Sequence, residues 1–135
     1  MMWVPDFRKN ALYQRSLDVA HEVYRTVEED SRNIRESEAI QLRKRAVRIT
    51  KKITHAIVQQ NIKMKFKSLN EAKLELELLL KQIYKLCDKK RIDEFNGFNI
   101  DCYADQVMKL LNFHFGEYKK KGIEFKKIKS RSDSE

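Results

Sequence analysis

Four stretches of the chain place apolar residues at alternating steps of three and four, the spacing that lines one face of a 3.6-residue helix. In the first, Tyr13, Leu17, Ala20, Tyr24 and Val27 keep this rhythm, and Leu12, Val19 and Val23 widen the stripe. Asp6 is placed to cap a helix starting at Phe7. The run Glu28-Glu29-Asp30-Ser31-Arg32-Asn33 predicts the end of that helix and a loop. The second stripe begins near Ser37 with Leu42, Ala46, Ile49, Ile53 and Ala56, and weakens toward Phe66. Ser68-Leu69-Asn70-Glu71 has the form of a capping box, which predicts the start of a third helix carrying Ala72, Leu76, Leu79, Ile83 and Leu86. Residues 88–99 are predicted to be a connector. A fourth stripe follows, with Ile100, Ala104, Val107, Leu111, His114 and Tyr118, and Gly122 is placed to end it.

Four amphipathic helices with short connectors predict an all-α, up-down-up-down four-helix bundle over residues 1–122. Residues 123–135, ending "KKIKSRSDSE", are expected to form a basic, mobile tail. Three glycines and one proline in 135 residues are too few for a sandwich or barrel, which need frequent turns. A chain of this length can bury one modest core. No stretch holds the roughly 18 to 20 uninterrupted apolar residues of a membrane span, since Glu75 and Glu77 break the greasiest window, "LELELLL". With no secretory signal in "MMWVPDFRKN", the expectation is a cytoplasmic protein in which Cys87 and Cys102 stay reduced.

Charge changes this picture. From Ala39 to Asn70 the chain has nine Lys or Arg and neither Asp nor Glu, so the formal net charge of +9 originates in this one segment. On a helical projection Arg43, Lys44, Arg45, Arg48, Lys51, Lys52 and His55 lie away from the apolar stripe of the second helix. Lys63, Lys65 and Lys67 extend the ridge. Like charges a turn apart repel, and no acid within the helix compensates them. Three explanations stay open: acids of neighbouring helices, such as Glu22 or Glu28, neutralise the ridge; the ridge faces a polyanion; or it docks an acidic protein partner, the chain then being an interaction scaffold. The second predicts nucleic-acid binding that weakens steeply with salt. No zinc-finger or RNA-recognition signature is present to read bases.

A second apolar line, Ile40, Val47, Thr54 and Val58, runs along the same helix far from the core stripe. Together with Trp3, Phe95, Phe98, Phe113 and Phe115 it either covers the ends of the bundle or forms a homo-oligomer interface, and the interface is the reading taken here. Catalytic chemistry finds no carrier. A di-iron bundle needs paired Glu-x-x-His motifs and inward carboxylates from the other helices. Here the nearest motifs are Asp18-x-x-His21 and the reversed His114-x-x-Glu117. The acid-free second segment cannot complete the set, so no metal, cofactor or catalytic residue is expected. Neither is there a glycine-rich phosphate loop.

These residues also carry a resemblance. Phe7 with "LYQRSLDVAHEVY" resembles the first helix of the small four-helix-bundle family that includes the 23S ribosomal RNA intervening-sequence proteins and the accessory variability determinant of diversity-generating retroelements. "QLRKRAVRI" is similar to that family's Gln-x-Arg-Arg-Ala-x-x-Ile core, carried here by Gln41, Arg43, Arg45, Ala46 and Ile49. Phe66, Leu69, Ala72, Glu75 and Leu76 fit the start of its third helix. The intervening-sequence branch has Asn-Ile-Ala-Glu-Gly where this chain has Ile53-Thr54-His55-Ala56-Ile57, and the style here is closer to the retroelement branch; both stay open. The resemblance implies a barrel-like homopentamer with a basic surface. In the retroelement branch it further implies partnership with a reverse transcriptase and with RNA or DNA.

Overall fold

A computed structural model describes residues 6–122; Trp3 and the expected tail at 123–135 lie outside the described residues. After a single 3-10 turn at Phe7–Lys9 come four helices: α1 (Ala11–Glu29), α2 (Glu36–Val58), α3 (Ile62–Asp88) and α4 (Glu94–Lys120). Each packs on two others, α2 on α1 and α3, α4 on α3 and α1, so the four close a ring of alternating direction. The protein is an all-α four-helix bundle.

The core is one cluster, with Leu42, Ile49 and Ile53 of α2 facing Leu76, Leu79 and Ile83 of α3, all completely buried. The predicted stripes of α2 and α3 are thus the core stripes. In α1 the expected Leu12, Val19, Ala20, Val23 and Val27 are buried, but Ser16 and Thr26 join them, whereas Tyr24 is exposed and Tyr13 and Leu17 are half-buried. Two small hydroxyl residues, Ser16 and Thr26, are thus buried in the core, and Ser16 satisfies itself by donating to the Tyr13 carbonyl at 2.6 Å. In α4, Ile100, Ala104, Val107 and Leu111 are buried as expected. Phe115, expected at a surface, is buried, while His114 and Tyr118 are half-buried. Phe66 meets the rings of Phe115 and Tyr118 edge-on at 5.4 Å and 5.9 Å and seals this end of the bundle.

The helix boundaries depart from the sequence pattern in three places, each because a different side chain does the capping. Asp6 caps only the 3-10 turn, and Asn10 caps α1 by accepting from Leu12 and Tyr13. The second helix stops at Val58, not near Phe66, and Asn61 starts α3 by accepting from Lys63 at 3.0 Å and Met64 at 3.2 Å. Ser68 and Glu71 therefore lie inside α3, and the capping-box pattern does not mark its start. Finally, α4 begins within the predicted connector, where Asp93 accepts from Phe95 at 3.1 Å.

At the opposite end Ile34 and Ile92, from the α1–α2 and α3–α4 loops, are buried as plugs. Lys90 takes a left-handed φ of 60° there. That conformation lets Arg91 N–H donate to the Leu86 carbonyl and Lys90 N–H to the Cys87 carbonyl, both at 2.9 Å, which closes α3 in a Schellman motif. Gly97 in the first turn of α4 approaches α3 so closely that a Cβ would stand 2.5 Å from Cys87 Sγ. Gly97→Ala is accordingly expected to destabilise the bundle by roughly 1–3 kcal/mol through overpacking. In a Cys87→Ala background, where the sulfur is gone, the same change is expected to become neutral or stabilising by up to about 1 kcal/mol through helix propensity. Urea melts of the two pairs check this, and an unchanged penalty in the second background would refute the contact.

Candidate nucleic-acid interface

The cations of α2 divide into two sets because the helix touches α3 along one flank only. Arg45 turns inward to that flank: its Nε donates to Gln82 at 3.1 Å and its guanidinium lies 3.6 Å from Glu75. Lys52 pairs with Glu71. Both were expected on the open ridge, and both instead join α2 to α3, aided by Gln82 donating to Gln41 at 3.0 Å. Compensation by neighbouring acids is therefore real for these two. It comes from Glu71 and Glu75 of α3 and not from α1, where Glu22 bonds Arg25.

The rest stay open. Lys44, Arg48, Lys51 and His55 are exposed on the outer crest of α2, and Arg43 is half-buried beside α1. None of the five forms an ion pair among the described residues. Lys44 to Lys51 spans about 10 Å along the helix at 1.5 Å per residue, so the three crest cations are spaced at roughly 5 to 6 Å. Lys63, Lys65 and Lys67 lie on the first turns of α3 and not on a continuation of α2. Lys63 and Lys67 are exposed and Lys65 is half-buried. Burial, followed by the nearby Lys65 charge, holds His114 below the ordinary imidazole range against the opposing pull of Glu117. Lys119, Lys120 and Lys121 end α4 and are exposed, and Lys120 is 3.6 Å from Glu117.

The second apolar line keeps its expected exposure. Ile40, Val47 and Val58 are 40%, 47% and 38% exposed. Thr54 is half-buried and donates to the Thr50 carbonyl at 2.9 Å, so its hydroxyl is consumed within the helix. Tyr24 of α1 is exposed at a separate groove between α1 and α2, where Val27, Ile34 and Ala39 lie with Arg43 and the acids Glu28 and Glu36. Sequence reasoning assigned Tyr24 to the core because an aromatic at helical spacing cannot be distinguished from a core residue before the phase of the stripe is known. Phe95, Phe98 and Phe113 are the most exposed of the large apolar side chains, all on α4.

Elsewhere the polar contacts are structural. Asn96, buried in the first turn of α4, accepts from Arg25 and donates to Asp30, both at 3.0 Å, fastening α4 to the end of α1. Arg91 donates twice to Glu38 at 2.8 Å. Burial raises the Glu38 carboxyl, but the bonds from the Arg35 N–H and from Arg91 outweigh it and hold the group below its usual range. Burial pushes the Cys87 thiol up, and Asp88 and Glu94 add to the effect, so this cysteine is a poor nucleophile. His21, Asp18, His114 and Glu117 converge on no common point: no group of three or more His, Cys, Asp or Glu side chains is placed to hold a metal ion among the described residues. Nor is any helix there long and apolar enough to cross a membrane. No family model matches the chain, and no curated protein matches it.

Proposed function

We propose that this protein is a non-catalytic, oligomeric bundle that binds RNA or DNA along the outer crest of α2. The observation that carries the proposal is the division of the α2 basic side chains: Arg45 and Lys52 are neutralised by α3 and Arg43 shares a groove with Glu28 and Glu36, while Lys44, Arg48, Lys51 and His55 stand exposed and form no ion pair among the described residues. A crest of uncompensated charge costs the isolated helix stability and is offset when a phosphate backbone lies on it. Lys63 and Lys67 widen the contact at the end of the bundle. With the three crest cations engaged, log Kobs for a 30-nucleotide single-stranded RNA is expected to fall with log salt at a slope of about −2. Fluorescence anisotropy between low and moderate salt reads this slope. A slope near zero would remove the phosphate contacts and the proposal with them.

The resemblance to the accessory proteins of diversity-generating retroelements gives the proposal a setting: a cytoplasmic partner of a reverse transcriptase, supporting its synthesis of complementary DNA. Assembly would use Ile40, Val47 and Val58, giving a homo-oligomer that the resembled family builds as a pentamer. Light scattering at micromolar concentration is expected to give a multiple of 16.2 kDa. Val47→Asp is expected to reduce it to the monomer mass. A monomer mass for the unmodified chain would remove the seam from the proposal.

A further inference from the structure

Exposed leucine is unusual next to exposed lysine on one helix face, and α3 has both in sequence. Leu74 and Leu78 are 52% and 45% exposed. Lys81, Lys85 and Lys89 follow, all exposed. At 100° per residue these five fall in a stripe about 80° wide on the side of α3 away from the core. Along the axis the leucines stand about 6 Å apart, and the three lysines continue at about 6 Å intervals. The stripe borders a groove of about 300 Å³ between α3 and α2, with Gln41, Arg45 and Gln82 among the residues that line it.

No lysine of this stripe forms an ion pair among the described residues, although Glu77 and Asp88 stand one turn from Lys81 and Lys85. Glu38, the one acid lining the groove, is held by Arg91, and nearby Glu75 is turned toward Arg45. The face is thus apolar at one end, cationic at the other, and about 22 Å long at 1.5 Å per residue. A phosphate backbone presents uniform charge and would leave the leucines uncovered. A surface of this kind is matched by a segment that is apolar at one end and acidic at the other.

We infer that the α2–α3 groove docks an acidic amphipathic helix of another protein, with its apolar side chains over Leu74 and Leu78 and its carboxylates against Lys81, Lys85 and Lys89. The order of the stripe fixes the direction in which the helix lies. This surface is separate from the crest used for nucleic acid, since Lys44, Arg48 and Lys51 take no part in it.

The test is selection of a displayed library of random 16-residue peptides on the full chain, with winners resynthesised and titrated by anisotropy. Expected winners carry two apolar residues one turn apart, followed within about two turns by two or more Asp or Glu. Leu78→Ser and Lys85→Glu are each expected to weaken them at least tenfold with helicity unchanged, and the triple variant Lys44→Glu, Arg48→Glu, Lys51→Glu is expected to bind them normally. Failure of any peptide to enrich, or winners that are acidic without the apolar pair and indifferent to Leu78→Ser, would overturn the inference. So would a 30-nucleotide RNA that displaces the peptides and itself loses affinity with Lys85→Glu, making nucleic acid the occupant. If Leu78→Ser converts an oligomer to monomers, the occupant is a second copy, and the inference fails in that way.

Discussion

The combined variant Lys44→Glu, Arg48→Glu, Lys51→Glu is expected to lose about 100- to 1000-fold in RNA affinity at 0.1 M salt. Each neutralised phosphate contributes roughly a tenfold factor at that ionic strength through counterion release. The three side chains are exposed and form no ion pair among the described residues, so circular dichroism and the melting temperature should hardly move. The variant exchanges three like positive charges for three like negative ones at the same spacing, so repulsion along the helix is little changed. Arg45→Glu is the informative contrast. It sets a carboxylate against Glu75, whose side chain is only 21% exposed, and takes the donor from the Gln82 side-chain oxygen. That variant is expected to lose about 1–3 kcal/mol of stability. Filter binding and urea melts on the two variants separate a surface role from a structural one. If both lose stability equally, or neither loses RNA, the division of the ridge has no functional meaning.

Phe66→Ala is expected to cost about 3–5 kcal/mol of stability, more than either Gly97→Ala or Arg45→Glu. The ring is 1% exposed and packs between α3 and α4, with Phe115 and Tyr118 edge-on to it. Its removal leaves a cavity at the end of the bundle where α3 begins, and the surrounding helices cannot collapse into it without shifting. For a domain of this size the midpoint should drop by more than about 10 °C. Leu74→Ala, on the same helix but half exposed, should cost less than about 1 kcal/mol. A cost for Phe66→Ala no larger than that would mean the aromatic cluster is not sealing this end.

The helix count, the order of the helices and the core faces of α2 and α3 were legible because hydrophobic period alone sets them. Leu42, Ile49 and Ile53 could not be placed elsewhere without exposing the stripe. The α2–α3 boundary was hidden. Gln59-Gln60-Asn61 contains neither glycine nor proline, and the turn is held by side-chain oxygens: that of Gln59 accepts from the Asn61 N–H, and that of Asn61 accepts from the Lys63 and Met64 N–H groups. Ser68-x-x-Glu71 gave a false start because Ser and Glu three apart are common on any amphipathic helix; here Glu71 serves Lys52. In α1 most of the stripe was legible, but its centre was set slightly off because Ser16 and Thr26, polar on any scale, occupy core positions and Tyr24 lies outside. Asn96 and Gly97 read as a turn but form the first turn of α4, a placement decided by Arg25 and Asp30 from another helix. The positive ridge was visible in the sequence, but its division was not. Which cations meet Glu71 and Glu75 depends on the register of two antiparallel helices, which no local pattern specifies.

The two populations of cation differ in how strongly dissolved ions reach them. The side chains that tie helices together, Arg45 and Arg91, are only 19% and 22% exposed and hold partly desolvated partners. Those on the crest stand in bulk solvent, where the Debye length shrinks from about 10 Å at 0.1 M to about 3 Å at 1 M. A concentrated salt wash should therefore release a polyanion carried through purification while the bundle keeps its shape, and dialysis should restore loading without any refolding step.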